Sequence, residues 1–136
     1  MSAETISAPI IIIGSGFGGI ATAIALKNSG DEDFIILERA GDVGGVWRDN
    51  SYPGAACDVV SRIYSLSYDQ DYEWSTAFAP QGEILAYVRG VVERHKIRPH
   101  VRFNTEVTGA AFDAAAGVWR VRPSCRRPSS PPASRP

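Results

Sequence analysis

Four consecutive isoleucines, Ile10 to Ile13, run into Gly14-Ser15-Gly16-Phe17-Gly18-Gly19, and the glycines run into the small, apolar stretch Ile20 to Leu26. A β-branched apolar run reads as a buried strand, and the alanine and isoleucine stretch reads as a helix, so the glycines occupy a tight strand-to-helix turn. In the Gly14-x-Gly16-x-x-Gly19 spacing the first glycine permits the turn and the second lets a pyrophosphate approach the backbone. The third lets helix and strand pack closely. The free N–H groups and positive dipole end of a helix starting near Phe17 face the anion. The stretch therefore reads as a dinucleotide site.

A second apolar run, Phe34 to Leu37, ends at Glu38, 24 residues after Gly14. That is close to the offset of about 20 residues expected for the carboxylate that accepts hydrogen bonds from an adenosine ribose. A carboxylate there repels a 2′-phosphate, which favours FAD or NAD over NADP. Both strands lack alternation, as parallel strands covered on two faces do. The expected fold class is therefore α/β, a Rossmann-like FAD/NAD(P)-binding βαβ unit with a parallel sheet and a right-handed crossover. Helix one should span Phe17 to Asn28 and bury Ile20, Ala23, Ile24 and Ala25, with Ser29-Gly30 as a left-handed stop.

The 136 residues suit one domain, and a net charge of −1 leaves no electrostatic footprint for nucleic acid or an anionic membrane. Neither partner is expected. Cys57 and Cys125 lack the paired spacing of a metal site and are too few for a disulfide framework, so no metal and a reducing, cytoplasmic location are expected. The Ile10 to Leu26 run is preceded by Glu4 and broken by glycines, unlike a signal peptide or a spanning helix.

From Ala40 to about Ala79 the chain is rich in Gly, Pro, Ser, Asp and aromatic residues without helical period, the pattern of a long functional loop. A helix follows from about Gln81 to Lys96, with Ile84, Leu85, Val88, Val91 and Val92 on one face. Val101 to Val107 alternate as a third strand, expected in the order three, two, one. Gly109 to Asp113 and Val118 to Val121 flank Ala114 to Gly117 as a hairpin. Domain boundaries fall at 1–121 for the incomplete nucleotide-binding unit and 122–136 for a disordered Pro/Ser/Arg-rich tail. Trp74 and Trp119 read as core. Cys57 reads as a small buried residue, and His95 and His100 as surface or packing residues rather than ligands.

The loop carries Gly44-Gly45-Val46-Trp47-Arg48-Asp49-Asn50-Ser51-Tyr52-Pro53-Gly54-Ala55-Ala56-Cys57-Asp58. This resembles the flavin-domain fingerprint of Baeyer-Villiger monooxygenases, in which Gly-Gly-x-Trp precedes Tyr-Pro-Gly and an aspartate at these spacings. Every specified position agrees, and the likeness continues through Tyr64 to about Val121. Gly44-Gly45 would let backbone pass close to a flat ring or a phosphate, and Tyr52-Pro53-Gly54 makes a fixed turn.

The resemblance implies FAD contacts at Gly14, Ser15, Gly16, Phe17, Gly19, Glu38, Arg39, Val46, Trp47, Asp58 and Tyr64, and a backbone contact to adenine near Val107. It also implies an accessory catalytic role for Asp58, which otherwise is a hydrogen-bond acceptor within its loop. In the complete family NADPH reduces FAD and oxygen is inserted beside the carbonyl of a small ketone. A second glycine motif for NADPH and the later catalytic arginine are missing from these 136 residues. The expectation is thus a truncated or frame-shifted portion, inactive alone, with strand one left as an exposed edge open to self-association. Another FAD- or NAD-dependent oxidoreductase and a non-enzymatic nucleotide-binding remnant are the competing readings.

Overall fold

The computed structural model describes residues 6–125. Strand β1 (Ile10–Ile13) pairs in parallel with β2 (Phe34–Leu37), in register from Ile10 opposite Phe34 to Ile13 opposite Leu37. Helix α1 (Phe17–Asn28) connects them. Strand β3 (Val101–Arg102) pairs in parallel with the end of β2, giving the sheet order β1-β2-β3. The expected α/β architecture and strand order are both present.

Helix α1 stops where the sequence says it should. The Ser29 and Gly30 amides donate to carbonyls of the last turn, and Gly30 adopts a φ of +88°. Its buried stripe is Ile20, Ala23 and Ile24. Ala25, expected to be buried, is exposed, because it lies one residue further round the helix than that stripe.

Past β2 come a one-turn helix α2 (Val46–Asp49) and then α3 (Gln81–Arg94), which ends two residues before the expected Lys96. From α3 the residues Tyr87, Val88, Val91 and Val92 join the α1 stripe and Ile36 in one core. Tyr87 is the largest of the fully buried side chains, and it was not apparent as a core position from the periodicity. Its hydroxyl accepts from the Leu66 amide at 2.9 Å and donates to the Asp69 carbonyl at 2.8 Å, so α3 pins the long loop from beneath.

Three expectations are corrected. The alternating run from Val101 to Val107 is two strands rather than one. Asn104 takes a φ of +54°, and β4 (Thr105–Asp113) then leaves the parallel sheet to pair with β5 (Val118–Cys125) as a separate antiparallel hairpin. Asparagine tolerates this left-handed conformation, and the amides of Asn104 and Thr105 stay bonded to the Ala40 and Glu38 carbonyls across the break.

Residues 122–125, assigned from composition to a tail, belong to β5, paired with the first residues of β4. Pro123 sits opposite Val107 beside a register shift, a position where a missing ladder N–H is tolerated. The remaining tail, 126–136, lies outside the described residues. Finally, Trp119 is 66% exposed, stacked obliquely on Phe112 on the hairpin instead of lying in the core. Trp74 is half-buried against Tyr72 and Tyr87.

Candidate functional site

At the carboxyl ends of β1 and β2 the backbone of the glycine turn and that of the long loop close on a cavity of about 350 Å³. Gly14, Ser15, Gly16, Glu38, Arg39, Val46 and Val107 all line it, and these seven come from the strand-one turn, the end of β2, α2 and β4. A crevice outside the carboxyl ends of parallel strands is the usual ligand position in an open α/β sheet.

The turn is built by steric exclusion. A Cβ on Gly19 would stand 1.9 Å from the Gly14 carbonyl oxygen, so only glycine lets α1 come this close to the end of β1. Gly16 caps α1 with no side-chain hydrogen bond, as a helix start open to an anion does. Gly45 crosses Gly16 so closely that a Cβ on Gly45 would lie 2.9 Å from the Gly16 Cα, with a φ of +53°. The Gly44 amide donates to the Ser15 carbonyl at 3.0 Å, and a Cβ on Gly44 would meet Leu85 at 2.5 Å. The Gly44-Gly45 pair thus seats the long loop on the glycine turn and on α3.

Glu38 is the hub of the cavity wall, 3% exposed. One carboxylate oxygen accepts from the Ser15 amide at 2.9 Å and the Ser15 hydroxyl at 2.7 Å, and the other accepts from the Ala40 amide at 2.8 Å. The Arg48 guanidinium stands 3.3 Å from that second oxygen. Burial pushes the Glu38 carboxyl up, but the hydrogen bonds from Ser15 and Ala40 and the Arg48 charge outweigh it and hold the group below the ordinary glutamate range. The wall therefore presents a fixed carboxylate beside the glycine turn that leads into α1.

The other expected contacts lie elsewhere. Phe17, Trp47 and Tyr64 make an aromatic group in which Phe17 and Tyr64 ring centroids are 5.1 Å apart and the Trp47 indole donates to the Tyr64 hydroxyl at 3.0 Å. The Gln81 side chain also bonds the Trp47 carbonyl. Asp58 is exposed, after the buried Cys57, and is not among the residues lining the cavity. Sequence reasoning passed over Arg48 and Asp49, which line the cavity from α2. Their signal was a charged pair at fingerprint positions that specify no residue type.

Residues 12–79 match the model of the NAD(P)-binding Rossmann-like domain. The chain belongs to that family. This Rossmann-like unit is 48% identical over 112 residues to a Baeyer-Villiger monooxygenase of Streptomyces coelicolor, a match that takes in 82% of this chain and 22% of that protein. Among solved structures it is similar to steroid monooxygenase bound to NADP, with a TM-score of 0.82, 38% identity, and coverage of 87% of this chain and 23% of the other. It is likewise similar to OTEMO in complex with FAD and NADP, at a TM-score of 0.81 and 32% identity, covering 91% of this chain and 24% of that one. The likeness read from the fingerprint is borne out. The chain spans about a fifth of the length of the monooxygenases it matches. Among the described residues no helix is long and apolar enough to cross a membrane.

Proposed function

We propose that the cavity holds the adenosine diphosphate half of FAD, and that the chain is the FAD-binding portion of an NADPH-dependent Baeyer-Villiger-type monooxygenase. One observation carries the reading: the uncapped glycine turn and the buried Glu38 carboxylate face the same cavity. The residues fit the group chemically. Amides at the start of α1 meet the charge of a pyrophosphate, and the Glu38 carboxylate accepts from ribose hydroxyls. When bound, the flavin supplies the redox and oxygen-transfer chemistry.

This chain's own residues bind, orient and shield. Ser15 fixes Glu38 by two bonds, Val46 and Val107 give the cavity apolar walls, and the Phe17, Trp47 and Tyr64 rings form an apolar extension beside α2. Asp58 is an accessory residue of the complete enzyme, whose substrate is a small ketone and whose reductant is NADPH. A cytoplasmic setting accords with two free cysteines, one of them exposed. Self-association through β1 is part of the proposal. It is supported by the outer edge of β1, where Ile13 is 60% exposed next to an apolar groove of about 580 Å³ shared with Val118 and Trp119.

NAD at the same cavity is the second reading, favoured by the family match itself. Titration of the purified chain with FAD, followed by flavin fluorescence and the visible spectrum, separates the two. Saturable quenching that excess NAD fails to reverse supports FAD; no quenching, or full reversal by NAD, contradicts it.

A further inference from the structure

Arg48 occupies a fingerprint position that specifies no residue type, yet its side chain is only 15% exposed and fully engaged. One terminal nitrogen donates to the Asp42 carbonyl at 2.6 Å and lies 3.3 Å from Glu38 Oε1. Its Nε and other terminal nitrogen donate to the two Asp49 carboxylate oxygens at 2.9 and 3.2 Å. Gly44 makes this possible, since a Cβ there would stand 3.2 Å from the Arg48 Cβ. The guanidinium is thus braced on one side by Asp49 and on the other by a backbone carbonyl, and it is aimed at the carboxylate in the cavity wall.

The bonding of Glu38 explains why that matters. Both acceptor directions of Oε2 are taken by Ser15, whereas Oε1 accepts a hydrogen bond from the Ala40 amide and has the Arg48 guanidinium 3.3 Å away. A ribose hydroxyl has to be received at Oε1, on the side Arg48 faces. Arg39 is exposed and paired with Asp49, Asp42 and Asp49 are acids, Glu106 lines the cavity as an acid, and Arg102 is next to Glu38 through its backbone carbonyl.

We infer that Arg48 is a positioning residue for the FAD of the proposed function: acting through Glu38, it sets how tightly the adenosine ribose is held and down to what pH. The Ser15 and Ala40 hydrogen bonds and, after them, the Arg48 charge favour the ionised Glu38, and Arg48 stands on the Oε1 side where the ribose is received. A carboxyl that takes up a proton loses one acceptor direction there, so affinity falls on acidification. Removing the cation makes that fall begin at higher pH.

FAD dissociation constants across pH for the wild-type chain, Arg48→Gln and Arg48→Lys test this. Arg48→Gln should weaken FAD roughly tenfold, as loss of a charge-assisted contact does, and move the midpoint of the acid loss to higher pH. Arg48→Lys should keep the midpoint and weaken binding about threefold, because an ammonium lacks the fork that spans Asp49 and the Asp42 carbonyl. A purely structural arginine would change melting temperature and leave both FAD readings where they were. That outcome in Arg48→Gln overturns the inference alone. Should Arg48→Gln not fold, Arg48→Lys decides, and wild-type affinity in it overturns the inference. A wild-type chain that binds no FAD overturns the FAD reading and this inference together.

Discussion

At the scale of the residue, Glu38 and Ser15 do the joining. A buried carboxylate with three hydrogen bonds cross-links the glycine turn to the end of β2 before any ligand arrives. Glu38→Gln leaves an amide group facing donors that need an acceptor, so it should cost about 1 to 3 kcal/mol in urea unfolding at neutral pH. Because the folded carboxyl titrates below its unfolded value, its contribution is complete above the ordinary glutamate range and is lost as pH falls through the folded value. The wild-type chain should therefore lose stability on acidification more steeply than Glu38→Gln. Equal slopes would remove Glu38 from the stability account. Gly19→Ala belongs to the same scale. A methyl 1.9 Å from a backbone oxygen forces the strand and helix apart and should cost about 3 kcal/mol or more in thermal unfolding.

Among the elements, α3 matters as the base on which the long loop stands. The Tyr87 hydroxyl ties Leu66 to Asp69, and the Asp69 carboxylate is bound by Arg94 through two nitrogens and by His95 at 3.0 Å. Burial pushes the Asp69 carboxyl up, but Arg94 and then His95 hold it below the usual aspartate range. Tyr87→Phe leaves two backbone groups without this partner and should cost about 1 to 3 kcal/mol, with faster amide exchange in residues 64–72 than in β1 or α1. Uniform exchange across the chain would show that the loop does not depend on this bond.

What could be read in advance follows from the range of each interaction. Strands β1 and β2, helix α1 and its Ser29-Gly30 stop are written in adjacent residues, and they stand where the apolar runs and the glycines put them. The split at Asn104 was hidden, because an alternating pattern looks the same whether the chain continues in one sheet or turns into another. Likewise the pairing that carries β5 through Pro123 comes from β4, and no composition window across Arg122 to Pro136 contains it.

For the whole molecule, the glycine turn, Glu38 and the fingerprint were enough to locate the cavity, since each is a local motif with a steric meaning. The Arg48 contact was not legible. It depends on how α2 folds back toward Glu38 past the end of β2, a relation between segments that spacing does not encode. The proposed self-association belongs to the same scale. The sheet ends at β1, and Ile13 lies on that edge beside the groove under Trp119. Ile13→Lys should reduce concentration-dependent association in sedimentation, because a charge blunts an open strand edge. An unchanged profile would remove β1 from the contact.

The central claim is that bare backbone at the turn admits a pyrophosphate, and FAD affinity of Gly16→Ala beside wild type tests it most directly. A Cβ at Gly16 finds only the Gly45 Cα at 3.7 Å, an ordinary contact, so the variant should fold normally while its methyl intrudes where phosphate approaches. Gly16→Ala should keep the wild-type circular dichroism spectrum while FAD binding weakens by about a hundredfold or more, a cost of at least roughly 2.7 kcal/mol. A folded Gly16→Ala chain that holds FAD as tightly as wild type would contradict it.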